Sequence, residues 1–480
     1  MNDGEAPASP PAPAAGWVAR LLASRKGLVV LYLAFLGAYL GASGARLRQH
    51  SLYNHFVYLA DGWLHGRLAL AGNPPNENDW AKVDVLKLHD GRELRGMFGR
   101  TGPIDRFYPL RGPSEEITPD EIASRTSIRY VSFPPFPAVV MAPFVAVWGL
   151  RFNDVLFTAL WAAANPVLLF LLLRHLRRKG LSARSDVDDL WLTAAFGVGS
   201  VYYYCSVLGQ VWYTAHVVAT TLVIGYLWAS LDAARPVLAG LCCGFGFATR
   251  TPLGFIFPLF VWEAVRVSGG VEGLRGVLRG KLPPGLLGRL VRFGLPAGAI
   301  LVGVLVLNYA RFERPTEFGH KFLNVLWLER IQKWGLFNYH FLSRNLSCAL
   351  TLAPRVLTSW PYVKVSDYGM SLLITSPYLV YLAMSKVRTR LAAPLWLTIA
   401  AAALPTLLYQ NSGYIQFGYR FSLDFMIFFI VLLAAGGRRV SWMWKGLIVA
   451  AFVVNLFGAI TFDRWREFYY DDTFFPHGNN

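Results

Sequence analysis

"YVSFPPFPAVVMAPFVAVWG", residues 130–149, decides how the rest of the chain is laid out. It is apolar enough to pass for a membrane span, yet it carries Pro134, Pro135, Pro137 and Pro143. Each proline removes a backbone donor and crowds the preceding turn, so a run of them breaks a helix at its start. Backbone groups freed in this way are tolerated at membrane depth only where protein or a water-lined cavity satisfies them. The segment is therefore read as re-entrant or interfacial, returning to the side from which it came.

The surrounding sequence depends on that reading. Of 480 residues 54% are hydrophobic, mean hydropathy is +0.38, and only 16% are charged, against about a quarter in soluble domains. Uncharged windows such as 28–45 and 213–231 have the length needed to cross a hydrocarbon core of roughly 30 Å. Full spans are expected at 28–45, 153–173, 190–208, 213–231, 236–249, 252–267, 293–310, 370–385, 391–409, 421–436 and 441–460. With residues 130–149 not crossing, "RHLRRKGLSAR", "RVSGGVEGLRGVLRGKLPPGLLGRLVR", "SKVRTR" and "GGRR" all face one side. The positive-inside bias makes that side the cytoplasm, and a crossing segment would turn every one of these loops outward.

The expected fold is an all-α integral membrane protein of about eleven transmembrane helices in the plasma (inner) membrane. Residues 1–27 read as a disordered cytoplasmic tail and 28–460 as the polytopic domain. The extracytoplasmic parts are then loops 46–152 and 311–369, with juxtamembrane or re-entrant helices in the first, and the tail 461–480. The net charge of +17 lies in short loops between apolar windows, which is membrane anchoring rather than nucleic-acid binding. Four cysteines are too few for a disulfide framework. In "NYHFLSRNLSCALTL", Leu342, Leu346, Ala349 and Leu350 share one face of an expected interfacial helix.

Polar residues concentrate on the outer side. "SLYNHFVYLADGWLHGRLAL" supplies Asn54, His55, Tyr58, Asp61 and His65, and "NPPNENDWAKVDVLK" supplies Glu77, Asp79, Lys82, Asp84 and Lys87. Most such residues in loops are solvated charges, and Asp61 has Arg67 nearby as a partner. A carboxylate at the bilayer surface beside an apolar groove can nonetheless serve as a general base. In "GFGFATRTPLGF", Arg250 sits between two interrupted apolar segments, either snorkelling to the interface or forming an anion site. In "YQNSGYIQFGYRFSLDF", Arg420 follows Tyr419 and offers a planar fork suited to phosphate, with Asp424 placed to orient it. Gln210, Tyr213 and His216 are placed to line the same cavity. Walker A, dinucleotide-binding, HExxH and zinc-spacing patterns are all missing. A base, two cations and long apolar grooves suit a lipid-linked phosphate, because no nucleotide-sugar pool exists outside the cytoplasm.

The order of "NHFVYLADGWLHGRL", "YVSFPPFPAVVMAPF", "NYARFERPTEFGH", "GLFNYHFLSRNL" with "GMSLLITSPYL", and "FGYRF" resembles the C-type polytopic glycosyltransferases (GT-C). The likeness is to the glycosyltransferase family 39-like group of protein mannosyltransferase and aminoarabinose transferase relatives. The resemblance implies a helical bundle, a large first outer loop and a polyprenyl-phosphate-sugar donor. Family members usually carry an acidic residue four positions before a tyrosine after the first span. Here that position, four before Tyr58, is Asn54, which cannot act as a base at neutral pH. The base role then falls to His55, Asp61, Asp79 or Asp84, with Asp79 and Asp61 favoured. Arg250, Arg420, Asn54, Tyr58, Lys87, Gln210, Tyr213, His216 and Tyr419 are the expected substrate contacts. No cofactor is required, although an Asp79–Asp84 pair could hold a divalent cation. The function expected is transfer of a sugar from a lipid-phosphate donor to a lipid, glycan or protein acceptor, with inversion at the anomeric carbon. The alternative is a transporter, flippase or non-catalytic binding protein for a lipid-linked saccharide, which Asn54 keeps in play.

Overall fold

The computed structural model describes residues 24–99, 106–270, 272, 283–323, 325, 327–384, 389–437 and 440–471. The expected tails up to residue 23 and from residue 472, with parts of the basic loops, lie outside the described residues. The elements that position the site begin with α1 (Arg25–Ser43), α2 (His55–Leu64) and strands β1 (Trp80–Leu88), β2 (Glu93–Gly99), β3 (Arg106–Pro109), β4 (Glu115–Glu116) and β5 (Ile122–Val131). Next come α3 (Phe136–Trp148), α4 (Asp154–Arg178), α5 (Asp186–Gly197), α6 (Val211–Ser230), α7 (Pro236–Phe247), α8 (Pro258–Val267) and α9 (Leu286–Phe312). The last are α10 (Leu328–Trp334), α11 (Leu342–Leu350), α12 (Ala392–Leu408), α13 (Met426–Ala435) and α14 (Trp442–Thr461).

Five helical stretches are long and apolar enough to cross a membrane: Arg25–Arg48, Asp154–Arg178, Val211–Ala233, Leu286–Phe312 and Trp442–Thr461. The other expected spans are shorter or interrupted, so the structure does not show eleven continuous helices. Residues 370–385 form Leu372–Thr375, Pro377–Leu379 and Val380–Met384, broken at Pro377. The stretch 252–267 begins as the 3₁₀ turn Thr251–Phe255 and restarts at Pro258 as α8. Likewise 421–436 begins as the 3₁₀ turn Arg420–Asp424 before α13. Proline lacks the donor a continuous helix needs, and so it marks two of these restarts.

The bundle has two chemically different ends. At one, Asp232 accepts from Lys179 after α4 at 2.6 Å, from Arg390 before α12 at 2.7 Å and from Arg266 at the end of α8. At the other end stand the β-sheet and the polar loops. The proline-rich helix α3 has thirteen residues, about 20 Å at 1.5 Å per residue, which is short of a hydrocarbon core. Its first amide, Phe136 N, donates to Ala248 O at 2.8 Å beyond the end of α7. Past its other end, Asn153 Nδ2 donates to Leu47 O at 2.9 Å beyond the end of α1. Both ties lie at the sheet end, so α3 enters and leaves there.

The all-α expectation needs correcting, because the first large loop builds a five-stranded antiparallel sheet of order β4-β3-β2-β1-β5. Asp90-Gly91 turns the chain between β1 and β2, with Gly91 at φ 88° and Arg92 N bonded to Asp90 Oδ1. Leu88 N donates to Arg92 O across this three-residue loop, a common hairpin connection with glycine in the left-handed position. Along β1, Val83 and Leu86 are buried while Lys82 and Lys87 keep contact with water. Asp84 is buried on this strand and holds Arg125 Nη2 and Ser127 Oγ, both at 2.6 Å, tying β1 to β5. Tyr130 and Phe312 meet edge-on at 5.5 Å and join the sheet to α9.

In the second loop, the face of α11 that packs inward carries Asn345, Cys348 and Ala349. The expected leucine stripe does not provide it: Leu350 is exposed and Leu342 and Leu346 are half-buried. Asn345 Nδ2 reaches Leu407 O at 2.9 Å and Tyr409 O at 2.7 Å. It thereby satisfies orphan carbonyls at the end of α12, and this decides which face turns in.

Candidate active site

The site is assembled from three polar segments at the sheet end. The first is the turn before β1. Asn76 pins it by donating Nδ2 to Leu52 O at 2.6 Å and by accepting from Asn78 N at 3.0 Å. Asp79 then takes a left-handed φ of 59°, a conformation that aspartate tolerates better than most residues. Trp80 stacks on His55 with ring centres 3.8 Å apart, and His55 Nε2 meets Asn78 O at 3.2 Å. With both neighbours held, the Asp79 side chain is aimed at α6, where Trp212 Nε1 donates to its Oδ2 at 2.9 Å. Burial pushes the Asp79 carboxyl up to about 6, with the Trp212 hydrogen bond and the charge of Arg420 pulling the other way.

The second segment is the start of α6. Val211 N donates to Tyr53 O at 3.0 Å, which docks this helix against the chain just before α2. Tyr213 lies under Arg420, 5.3 Å from its ring centre to the guanidinium carbon, and its hydroxyl reaches Ile415 O at 3.3 Å. His216 is fully buried, with Nδ1 3.7 Å from Asp424 Oδ1. Gln210 Nε2 donates to Asp463 Oδ2 at 2.8 Å.

The third is the loop before α13. Gly413, at φ 104°, lets the chain turn so that its carbonyl and that of Ile415 both accept from Arg420 Nη1, at 2.5 and 2.9 Å. Arg420 Nε and Nη2 have no partner among the described residues. Arg250 is held differently, forming a two-pronged pair with Asp424 at 2.5 and 2.7 Å. The sequence expectation that Asp424 orients Arg420 is thus corrected: Asp424 neutralises Arg250. The two guanidinium carbons nevertheless lie 5.2 and 5.5 Å from the centre of one ring, Phe421, so the fold does bring these cations together. Tyr419 is buried, its ring 6.0 Å from that of Phe421.

The other expected residues are placed elsewhere. Asp61 bonds Arg67 at 3.3 Å and sits 3.5 Å from His65, away from the Asp79 cluster. His55 is wholly buried among rings, and burial drives its pKa down to about 4, so it supports the Asp79 turn and makes a poor base at neutral pH. Asn54 is buried at the start of α2, with Nδ2 3.4 Å from His50 Nδ1. Tyr58 packs edge-on against Trp80 at 5.4 Å, behind the turn. Lys87 is exposed on β1 seven residues beyond Trp80, about 23 Å along an extended strand, and cannot share the site. The Asp79–Asp84 pairing for a cation does not form either, because Asp84 is held by Arg125 and Ser127.

Sequence reasoning passed over Trp212 and Phe421, which organise the cluster, and Asp463 at its margin. Trp212 sits between two residues that were singled out, but a tryptophan at a span end is first read as interfacial.

No family model matches the chain, and no curated protein does. Among solved structures, the chain is similar to the Archaeoglobus fulgidus oligosaccharyltransferase in the apo form, at 12% identity and a TM-score of 0.40. The match covers 92% of this chain and 56% of that one. A second crystal structure of that protein, tethered through a disulfide to an acceptor peptide containing the NVT sequon, gives 13% identity and a TM-score of 0.38. It covers 95% of this chain and 55% of that one, so the chain spans a little over half the length of these structures.

Proposed function

We propose that the chain is a membrane glycosyltransferase that moves a sugar from a polyprenyl-phosphate donor to an acceptor hydroxyl at the sheet end of the bundle. The observation that carries this reading is a carboxylate titrating near 6, fixed by Trp212 and within the field of Arg420. Asp79 takes the hydroxyl proton as the acceptor oxygen bonds to the anomeric carbon. The bond from that carbon to the phosphate oxygen breaks, and its electron pair leaves with the lipid phosphate. Arg420 has unfilled donors for the developing charge, and its fixed place makes that stabilisation preorganised. Attack opposite the leaving group inverts the anomeric centre. Arg250, already neutralised by Asp424, shares the Phe421 ring with Arg420 and forms the neighbouring wall of the site. The scheme uses no cofactor.

Asn54 occupies the position where the resembled family carries its acid, and on this reading Asp79 takes over that role. The residue after Asn54, His55, stacks on the residue after Asp79, Trp80. Asp79 is thereby carried on the turn that packs against the start of α2, where Asn54 stands. The basic end of the bundle then faces the cytoplasm and the site faces outward.

Two outcomes test the assignment. Arg420→Ala is expected to weaken binding of the polyprenyl-phosphate donor by about tenfold to a hundredfold, the worth of a charge-assisted contact. Acceptor affinity stays within a few-fold, as measured by separate donor and acceptor titrations; equal donor dissociation constants would contradict it. Asp61→Asn is expected to keep transfer within about twofold, since its exposed ion pairs contribute little. A loss approaching that of an Asp79 variant would move the base to α2.

A further inference from the structure

Two arginines behind the Arg420 loop have no counter-charge among the described residues. Arg330 on α10 is only 4% exposed, and its Nη2 donates to Gln410 Oε1 at 3.2 Å. Arg344 on α11 donates Nη2 to Gln410 O at 2.5 Å. The Nε atoms of both are buried without a partner, and no carboxylate of the described residues pairs with either. Burial and the adjacent Arg344 hold the Arg330 pKa down to about 10. A buried cation lacking an anion is costly, and one neutral amide oxygen and one ring face each, Trp327 for Arg330 and Phe341 for Arg344, offset only part of that cost.

Both guanidinium groups line one small cavity together with Tyr368, Asn411, Ser412 and Tyr414. Ser412 is fully buried and its hydroxyl has no partner. The cavity therefore presents donors from two arginines and a serine; at about 10 Å³ it has room for one water, so an oxyanion enters as the side chains around it draw back. It lies back to back with the first cation site: Asn411, Ser412 and Tyr414 line it, while the carbonyls of the alternating Gly413 and Ile415 hold Arg420. Tyr409 feels the charges of Asp79, Arg250 and Arg330, so the two stations are close.

We infer that Arg330, Arg344 and Ser412 form a second oxyanion site, which takes a phosphate or carboxylate of a substrate while Arg420 takes the leaving phosphate. The division of roles rests on the function proposed above; the site itself rests on the missing counter-charge. The oxyanion has two possible sources, the second phosphate of a lipid diphosphate donor or an anionic group on the acceptor.

The test uses the detergent-solubilised full chain, first saturated with polyprenyl monophosphate, with inorganic phosphate then titrated at constant ionic strength and followed by ³¹P line broadening. Saturable phosphate binding is expected in the parent, and binding about tenfold weaker or worse in Arg330→Gln/Arg344→Gln, with the lipid still bound as a check on folding. Arg344→Gln alone, at a half-buried side chain, is the second variant and is expected to weaken phosphate in the same direction. Equal phosphate affinity in parent and variants, or no saturable binding, overturns the site. If saturation with polyprenyl diphosphate abolishes phosphate binding, the oxyanion is the donor's own; if phosphate still binds, it belongs to the acceptor. Should polyprenyl monophosphate fail to bind while phosphate still separates parent from variants, the oxyanion site stands and the proposed donor falls.

Discussion

Replacing Asp79 by asparagine is expected to lower sugar transfer by about 10²- to 10⁴-fold, the usual contribution of a positioned base. The substitution is nearly isosteric, and its amide oxygen can still accept from Trp212 Nε1, so the turn held by Asn76, His55 and Trp80 stays folded. The pH profile supplies the signature. A base must be deprotonated, and burial has raised Asp79 to about 6. The parent rate should therefore climb about tenfold per unit below that value and level off above it. Asp79→Asn should lose this acid limb along with the rate. Initial rates from pH 4.5 to 8 on both proteins check it. A variant that retains the limb would put the base elsewhere.

The largest stability effect is expected at Arg250. Asp424 is fully buried, and Arg250 is its two-pronged partner at 2.5 and 2.7 Å. Arg250→Ala strands a buried carboxylate, which costs about 3–5 kcal/mol. The double variant Arg250→Ala/Asp424→Ala removes the stranded charge as well, and should be more stable than Arg250→Ala alone. Unfolding of the single and double variants in one detergent measures this as a mutant cycle. A double variant less stable than either single one would mean that the pair is not the unit holding this wall.

Membrane residence could be read from the chain because it writes itself as long uncharged windows, five of which are helices long enough to cross. The prolines at 134–143 signalled a break in the run of spans, and α3 is a short helix with both ends tied to the sheet end. The sheet went unread for a physical reason. Its strands are two to ten residues long and mix buried with exposed positions without a clean period of two, so windows tuned to long apolar runs average them away. Asp90-Gly91 between "WAKVDVLKL" and "ELRGMFG" was the available signal.

At the site, sequence spacing indicated which residue types could act but not which carboxylate each cation would face. Asp424 lies four residues after Arg420 in the chain, yet the 3₁₀ turn at Arg420–Asp424 points it at Arg250 instead. Lys87 and Asp84 looked close to Asp79 by number, but an extended strand carries them away. The partnership of Asp79 with Trp212 spans 133 residues, and only the fold creates it.

The central claim is that a new glycosidic bond forms at Asp79. Its most direct measurement uses vesicles containing the purified chain, a labelled polyprenyl-phosphate sugar and acceptor membranes from a strain lacking the protein, with products analysed by mass spectrometry. The account predicts a sugar-bearing product with the parent chain and almost none with Asp79→Asn. Label that is bound or moved across the bilayer by the parent, with no new glycosidic bond, would contradict it and identify a carrier for lipid-linked sugars.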